Sequence, residues 1–273
     1  THIAENDIIK LFIPDEMLIP KAKSNPDDFT GVSDKIDIVY EDENILLVDK
    51  PVGMVVHEDE SGDSDTLINR IKSYLYHKGE YHPENELSFA PALCNRIDRN
   101  TCGIVIAAKN AESLRILNQK IRDRELTKLY LCIACGKVTP DSATLTAYLE
   151  KNSDTNTVKI SDKKTKSNLT IKTKYKVIAY NGENSLLKVD LLTGRTHQIR
   201  AHLAYIGHAL LGDGKYGNNK LNKKYGFKYQ ALCSYELQFK FTTDAGCLSY
   251  LDGKCFKAKA PDFVKMFGSN IKL

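Results

Sequence analysis

The chain has 273 residues, of which 42% are hydrophobic and 27% charged, and a net charge of +4. That length holds one or two domains with a sizeable core, and the composition excludes a disordered or collagen-like chain. The excess of base is small, so any nucleic-acid contact must come from local clusters of Lys and Arg.

In chain order, residues 7–13 read as a short strand and residues 14–35, rich in Pro, Asp, Lys and Ser, as a linker. Ile36, Ile38 and Tyr40 then alternate, Asp42, Glu43 and Asn44 turn, and residues 45–48 make a buried strand. Lys50-Pro51 and Gly53 punctuate before residues 54–56. Ser64 or Asp65 is expected to cap a helix whose apolar face is Leu67, Ile68, Ile71, Tyr74 and Leu75. A second helix is predicted over 111–121, with Leu114, Leu117 and Ile121 in register. Strands follow at 128–135 and 165–179. In the latter, Leu169, Ile171, Tyr175 and Val177 oppose Lys166, Lys172, Lys174 and Lys176. One packed and one wet face point to an antiparallel sheet. Leu187, Val189 and Leu191 mark the next strand, and 233–241 alternates in the same way. Consecutive strands with few helices predict an α+β fold.

The seven cysteines are odd in number and scattered, which argues against a disulfide framework. Cys132 and Cys135 lie three apart on a predicted strand, hence on opposite faces, and suit no shared metal. Reduced thiols, no signal peptide and no membrane-length apolar run lead to the expectation of a cytoplasmic protein without membrane contact.

Two constellations carry chemistry. The first is NRIDRNTCG at 95–103, where Asp98 sits between Arg96 and Arg99. A neighbouring guanidinium favours the charged carboxylate, which could serve as nucleophile or base while the arginines hold phosphates. A plain surface salt bridge has the same pattern. The second is LLTGRTHQIRAHLAYIGHALLGDGKYG at 191–217. Gly194 permits a sharp turn, Thr196 can cap a helix striped by Ile199, Leu203 and Ile206, and Gly207 can end it. Arg195 falls at the strand-to-helix corner, with Arg200 little more than a turn beyond. His197 and His202 are five apart, off a common helical face and away from the i, i+4 zinc spacing. His202 reads as a packing residue; His197 either meets phosphate or supports the turn. Lys215, Lys220, Lys223, Lys224 and Lys228 are interleaved with Tyr216, Tyr225, Phe227 and Tyr229, which suits either a solvated loop or stacking on RNA.

Assembled, these segments resemble the RluA-type pseudouridine synthases, in particular those acting on large-subunit ribosomal RNA. IDIVYEDENILLVDKPVGMVVH (36–57) is similar to the family's opening strands and Lys-Pro-x-Gly turn. NRIDRNTCGIVIAAK (95–109) resembles the segment written HRLDxxTSG, with Asn95 and Cys102 in place of His and Ser. KLYLCIACG (128–136) resembles the tyrosine-bearing strand and GRTHQIRAHL (194–203) the third motif. The resemblance spans about 36–262. It implies a pseudouridine synthase fold, with a mixed, mainly antiparallel sheet flanked by helices and an active-site cleft. The catalytic domain would be 36–273, preceded by the 14–35 linker and, at 1–13, the tail of a small S4-like RNA-binding domain.

The implied reaction isomerises uridine in RNA without cofactor or metal, on a nucleotide flipped out of its stack. Asp98 would act on that nucleotide. Arg195 would pair with Asp98, and Tyr130 would stack on the uracil and help remove its C5 proton. Arg96 would fill the gap left by the flipped base. Leu192 and Ile199 would wall the pocket, and Arg99, Lys128, His197, Arg200 and Lys215 are the remaining candidate RNA contacts. The expected partner is 23S ribosomal RNA, with transfer RNA as the alternative, bound by a monomer. Two rival readings are a non-catalytic RNA-binding assembly protein and a metal-dependent hydrolase using His197, His202 and Asp213.

Overall fold

A computed structural model describes residues 29, 31–58, 64–84, 89–152, 157–269 and 271–273. The expected strand at 7–13, and with it the S4-like remnant, lies outside the described residues, as does nearly all of the 14–35 linker before Gly31.

Strands β1 (Ile38–Glu41) and β2 (Ile45–Lys50) form the predicted hairpin. Asp42 Oδ1 closes its turn by accepting the backbone N–H groups of Asn44 and Ile45, both at 2.8 Å. Helix α1 (Leu67–His77) follows. Its cap is Thr66, whose Oγ1 accepts Asn69 N–H at 3.3 Å, rather than Ser64 or Asp65. Only the residue directly before the first turn reaches that N–H, and Asp65 grips Arg70 instead. Strands β3 (Ala92–Leu93) and β4 (Cys102–Ala108) lead to helix α2 (Ala111–Arg122), capped by Asn110.

Strands β5 (Leu126–Cys135), β6 (Ser142–Asn152), β7 (Thr157–Ser161), β8 (Leu169–Tyr180) and β9 (Asn184–Leu191) run consecutively. After them come helices α3 (Gln198–Tyr205) and α4 (Asn219–Lys224), and strands β10 (Leu232–Phe239) and β11 (Cys255–Lys257).

Among the described residues, the eleven strands form one sheet, ordered β1-β2-β4-β10-β5-β9-β8-β6-β7, with β3 against β4 and β11 against β10. Every pairing is antiparallel except β4 with β10. The α+β architecture expected from the run of strands is therefore present.

The sheet has two differently used faces. On one, Val105, Tyr130, Cys132, Tyr175 and Val189 pack with Leu67, Ile71 and Leu75 of α1 and with Ile199 and Leu203 of α3. On the other, Ile104, Ile106, Leu131 and Cys233 pack with Ile116 and Leu117 of α2 and with Leu248 and Leu251. Cys132 and Cys135 go to separate clusters, as period-two alternation requires. All seven cysteines are unpaired thiols. Among the described residues no helix is long and apolar enough to cross a membrane.

Two β-strand positions set up the site. Gly103, with φ +106°, brings β4 so close to β10 that a Cβ would lie 2.2 Å from the Ser234 carbonyl oxygen. Ser234 in turn registers with Tyr130 of β5. The loop that ends at Gly103 thus opens two strands away from Tyr130, about 10 Å at ordinary strand spacing.

Gly103→Ala should therefore cost at least about 1–3 kcal/mol of stability, because backbone rather than a mobile side chain must move. Urea unfolding monitored by circular dichroism measures it; an unchanged midpoint would show that the close approach is dispensable.

Candidate active site

The loop between β3 and β4 carries Asp98 and is held from several directions. Asn95 Oδ1 accepts the Ile106 N–H at 2.8 Å, fastening the loop's start to β4. Thr101 N–H returns to the Asp98 carbonyl at 3.0 Å, and Gln230 donates to Thr101 Oγ1 at 3.3 Å. Cys102 directs its thiol at the Leu232 carbonyl, 3.7 Å away on the neighbouring strand. Both positions that depart from the family pattern thus act within the loop's frame.

From below, Lys50 is wholly buried. Its Nζ donates to the carbonyls of Pro51, Met54 and Arg99 at 2.8, 2.8 and 2.9 Å, and Gly53 N–H also meets the Arg99 carbonyl. The ammonium is solvated by backbone rather than by a carboxylate. Burial pushes it down to about 8, with the charges of Cys102, Asp98 and Asp49 working in the opposite direction.

The second half of the site comes from the β9–α3 corner. Gln198 accepts from Arg195 N–H at 3.1 Å and Thr193 Oγ1 at 2.8 Å, and donates to the Lys172 carbonyl and Thr173 Oγ1, both at 3.0 Å. Helix α3 is capped not by Thr196 but by His197, which is left-handed at φ 52° and gives no side-chain cap. A non-glycine residue in that region is strained and persists only where its surroundings over-determine it. Here the imidazole Nδ1 lies 2.9 Å from the Tyr216 hydroxyl, which also accepts Val158 N–H at 2.9 Å. Nε2 faces Asp98 Oδ2 at 3.9 Å. Gly207, at φ +86°, ends the helix as expected.

Arg200 is the centre of the arrangement. Its Nε and Nη2 clasp Asp213 at 2.7 and 2.9 Å, while Nη1 donates to Asp98 Oδ2 at 2.8 Å. The Asp213 side chain is 0% exposed. Burial works to raise its carboxyl, but Arg200 and the N–H groups of Tyr216 and Lys215 outweigh that and hold it below the usual range. The guanidinium also lies 5.3 Å from the Tyr216 ring centre. Asp98 itself is 27% exposed. Arg200 and His197 both approach Oδ2, and among the described residues Oδ1 has no hydrogen-bond donor.

Tyr130 sits in the same environment. Burial pushes its phenol up to about 12, and the Asp98 charge adds to that. The shift keeps the phenol a proton-bearing O–H well beyond the range where an ordinary tyrosine ionises.

The expected Asp98–Arg195 pair does not form. Arg195 is exposed, before the helix begins, and its place is taken by Arg200, which the left-handed step at His197 turns inward. Ile199 and Leu192 are respectively buried and half-buried, the former against the α1 cluster. Arg96, Arg99 and Lys215 are exposed, and the Arg96 charge acts on His57. Lys128 is half-buried, with burial and Arg124 pushing its ammonium down. His202 is buried, bonded to Thr173 Oγ1 at 3.0 Å and pushed down to about 4 by burial. With His197 turned to Tyr216 and Asp213 taken by Arg200, the three groups of the metal-hydrolase reading do not converge. Sequence spacing had not revealed Tyr216 or the anchoring part of Asp213, because both act across loops that no periodicity describes.

Comparison with known proteins bears on the family and the fold. A family model described as RNA pseudouridylate synthase matches residues 44–205. An uncharacterised RNA pseudouridine synthase of Mycoplasma genitalium is 38% identical over 215 residues, covering 76% of this chain and 64% of that one. The ribosomal large subunit pseudouridine synthase D of Borreliella burgdorferi is 33% identical over 210 residues, covering 76% and 63%. The chain thus spans less than two thirds of the length of these curated relatives. Two solved human structures share the fold. RNA pseudouridylate synthase domain containing 1 superposes with a TM-score of 0.63 at 22% identity, covering 84% of each chain. RNA pseudouridylate synthase domain containing 4 does so with a TM-score of 0.65 at 18%, covering 84% of this chain and 90% of that one.

Arg200→Ala should lower stability by about 3–5 kcal/mol, since it strands a buried Asp213 carboxylate, whereas Arg195→Ala should stay within about 0.5 kcal/mol of the parent. Chemical denaturation of the two variants compares them; equal losses would contradict the bridge. The Lys50 shift has its own pH signature. A lysine depressed from 10.5 to about 8 adds its full stability only above its unfolded value, and loses it as pH falls through 8. Wild type should therefore gain stability relative to Lys50→Met as pH rises between these values, read from melts at matched ionic strength. A flat difference would mean that the ammonium is not desolvated.

Proposed function

Because the chain belongs to the RNA pseudouridylate synthase family, we propose that it isomerises uridine to pseudouridine in RNA, with large-subunit ribosomal RNA as the substrate class. In that reaction the bond from ribose C1′ to N1 of uracil breaks and a bond from C1′ to C5 forms. The C5 proton leaves and N1 gains one. Oxidation state is conserved.

The observation that carries the reading is the half-exposed carboxylate of Asp98, with one oxygen held by a buried guanidinium and the other open, beside a buried neutral tyrosine. Held in this way, Asp98 Oδ1 can meet a sugar or base as nucleophile or base without first having to be ordered. A stacked uridine is out of reach, so the nucleotide must be extruded. The Tyr130 phenol, at about 12, is a poor base near neutrality, and its part is to pack against uracil and present an O–H. His197, with Nε2 towards Asp98, is placed to meet the ribose or its phosphate. The ribosomal substrate class is supported by the name of the Borreliella relative. Seven unpaired thiols fit a cytoplasmic enzyme, which we take to act as a monomer.

Asp98→Asn keeps the size of the side chain and removes its charge. It should cut release of tritium from C5-labelled uridine in RNA by roughly 10²–10⁴-fold or more, with RNA affinity retained. Turnover at the wild-type rate would refute the assignment. Mapping the uridines that lose modification when the protein is deleted tests the substrate class.

A further inference from the structure

The two faces of β8 are unlike. Ile171, Thr173 and Tyr175 are buried towards the catalytic side, where Gln198 at the start of α3 bonds Thr173 and where Tyr175 registers through Val189 with Tyr130. Lys172, Lys174 and Lys176 project from the opposite face, and all three are exposed. Each stands across from an exposed hydroxyl residue of β6: Thr146, Thr144 and Ser142 respectively. Three ammonium–hydroxyl pairs thus lie in a row about 14 Å long, at two residues per step.

Among the described residues, none of the three ammonium groups has a carboxylate within salt-bridge distance. On β9 the neighbours in register are Lys188, opposite Lys176, and Asp190, opposite Lys174. Lys188 is engaged by Glu236 at 2.8 Å. Asp190 is half-buried, and Lys174 and Lys240 only partly offset the burial that raises it.

Lysines are often placed on edge strands to prevent aberrant pairing. That explanation fails here, because β8 lies between β9 and β6. Three like charges on consecutive outward positions of an interior strand repel one another, and a neutral wet face would need only polar residues. The arrangement gains stability when an anion of regular charge spacing lies along it. No apolar side chain interrupts the stripe between Lys172 and Lys176, so the anchors that protein partners use are missing. Lysines that supply charge beside hydroxyls that donate hydrogen bonds are the groups that contact a nucleic-acid backbone without reading its sequence.

We propose that the β6–β8 face is a second RNA-binding surface, which holds the sugar-phosphate backbone of a structured RNA on the side of the sheet opposite Asp98. The proposal rests on the reading that this protein acts on RNA. The RNA would reach both faces by passing round the β6–β7 end of the sheet. This surface would supply affinity and salt dependence without choosing the uridine.

The test uses the whole chain and the triple variant Lys172→Gln, Lys174→Gln, Lys176→Gln. Binding of labelled total transfer RNA and of a generic RNA duplex is measured over a salt series. For the duplex, the slope of log affinity against log salt should flatten by about 2–3 units, since each lost phosphate contact removes about 0.9. Thermal melting should be no lower than the parent's, because all three side chains are exposed and their mutual repulsion is relieved. Asp98→Asn, measured in parallel, should keep the wild-type slope, so that failure of the catalytic assignment is distinguishable from failure of this one. A wild-type slope and affinity in the triple variant would overturn the proposal. So would unchanged RNA binding accompanied by loss of binding to polyglutamate, which would give the face to an acidic protein.

Discussion

One guanidinium holds two carboxylates, and the rest of the site depends on it. Arg200 clasps buried Asp213 through two nitrogens and reaches half-exposed Asp98 with the third. The interior contact does the positioning. A carboxylate cut off from water needs a bidentate partner, and Asp213 has one, along with two backbone N–H groups. With Nε and Nη2 committed, the plane of the guanidinium is set, and the direction of Nη1 follows without further loss of freedom. Asp98 is then oriented by a group that was already immobile. The same contact occupies Oδ2 and leaves Oδ1 without a donor among the described residues.

A second device acts on the backbone of the same loop. Lys50 draws three carbonyls around a buried ammonium, and one of them belongs to Arg99, the residue after Asp98. The turn after β2 is thereby fastened to the loop before β4. Side-chain orientation and backbone position are thus controlled by different cations from different segments. Strain accompanies this precision. His197 is held left-handed at the head of α3, where Tyr216 engages its ring and the helix start can turn Arg200 inward. Strain of this kind at a helix start is expected where a side chain has to be aimed rather than simply buried.

The sheet divides the labour between its faces. Alternation along β8 sends Thr173 and Tyr175 to the side on which Asp98 and Arg200 meet, and three lysines to the other. If the lysine face binds RNA as proposed, the two faces divide selection from adhesion. Catalytic groups need burial to sharpen their electrostatics, whereas backbone contacts need exposure and mobility. One strand can meet both demands because successive residues point in opposite directions.

Much was legible in the residues themselves. Period-two patterns marked β8, β9 and β10; the Asp42-Glu43-Asn44 turn was closed by its own aspartate; and Gly207 ended α3. The pattern around Asp98 and the GRTHQIR segment marked the two stretches that the structure joins through Arg200 and Asp98. These features are local, determined by side-chain periodicity, turn chemistry and the conformational freedom of glycine. The choice between Arg195 and Arg200 was not legible, since both lie near the same corner in sequence. It was decided by the left-handed step at His197 and by a buried acid 13 residues further along, on another loop. Nor could spacing show that Lys50 would be surrounded by carbonyls, or that burial would push the Tyr130 phenol up. Pairing, burial and pKa depend on what arrives from distant segments, and only the assembled sheet brings those segments within bonding distance.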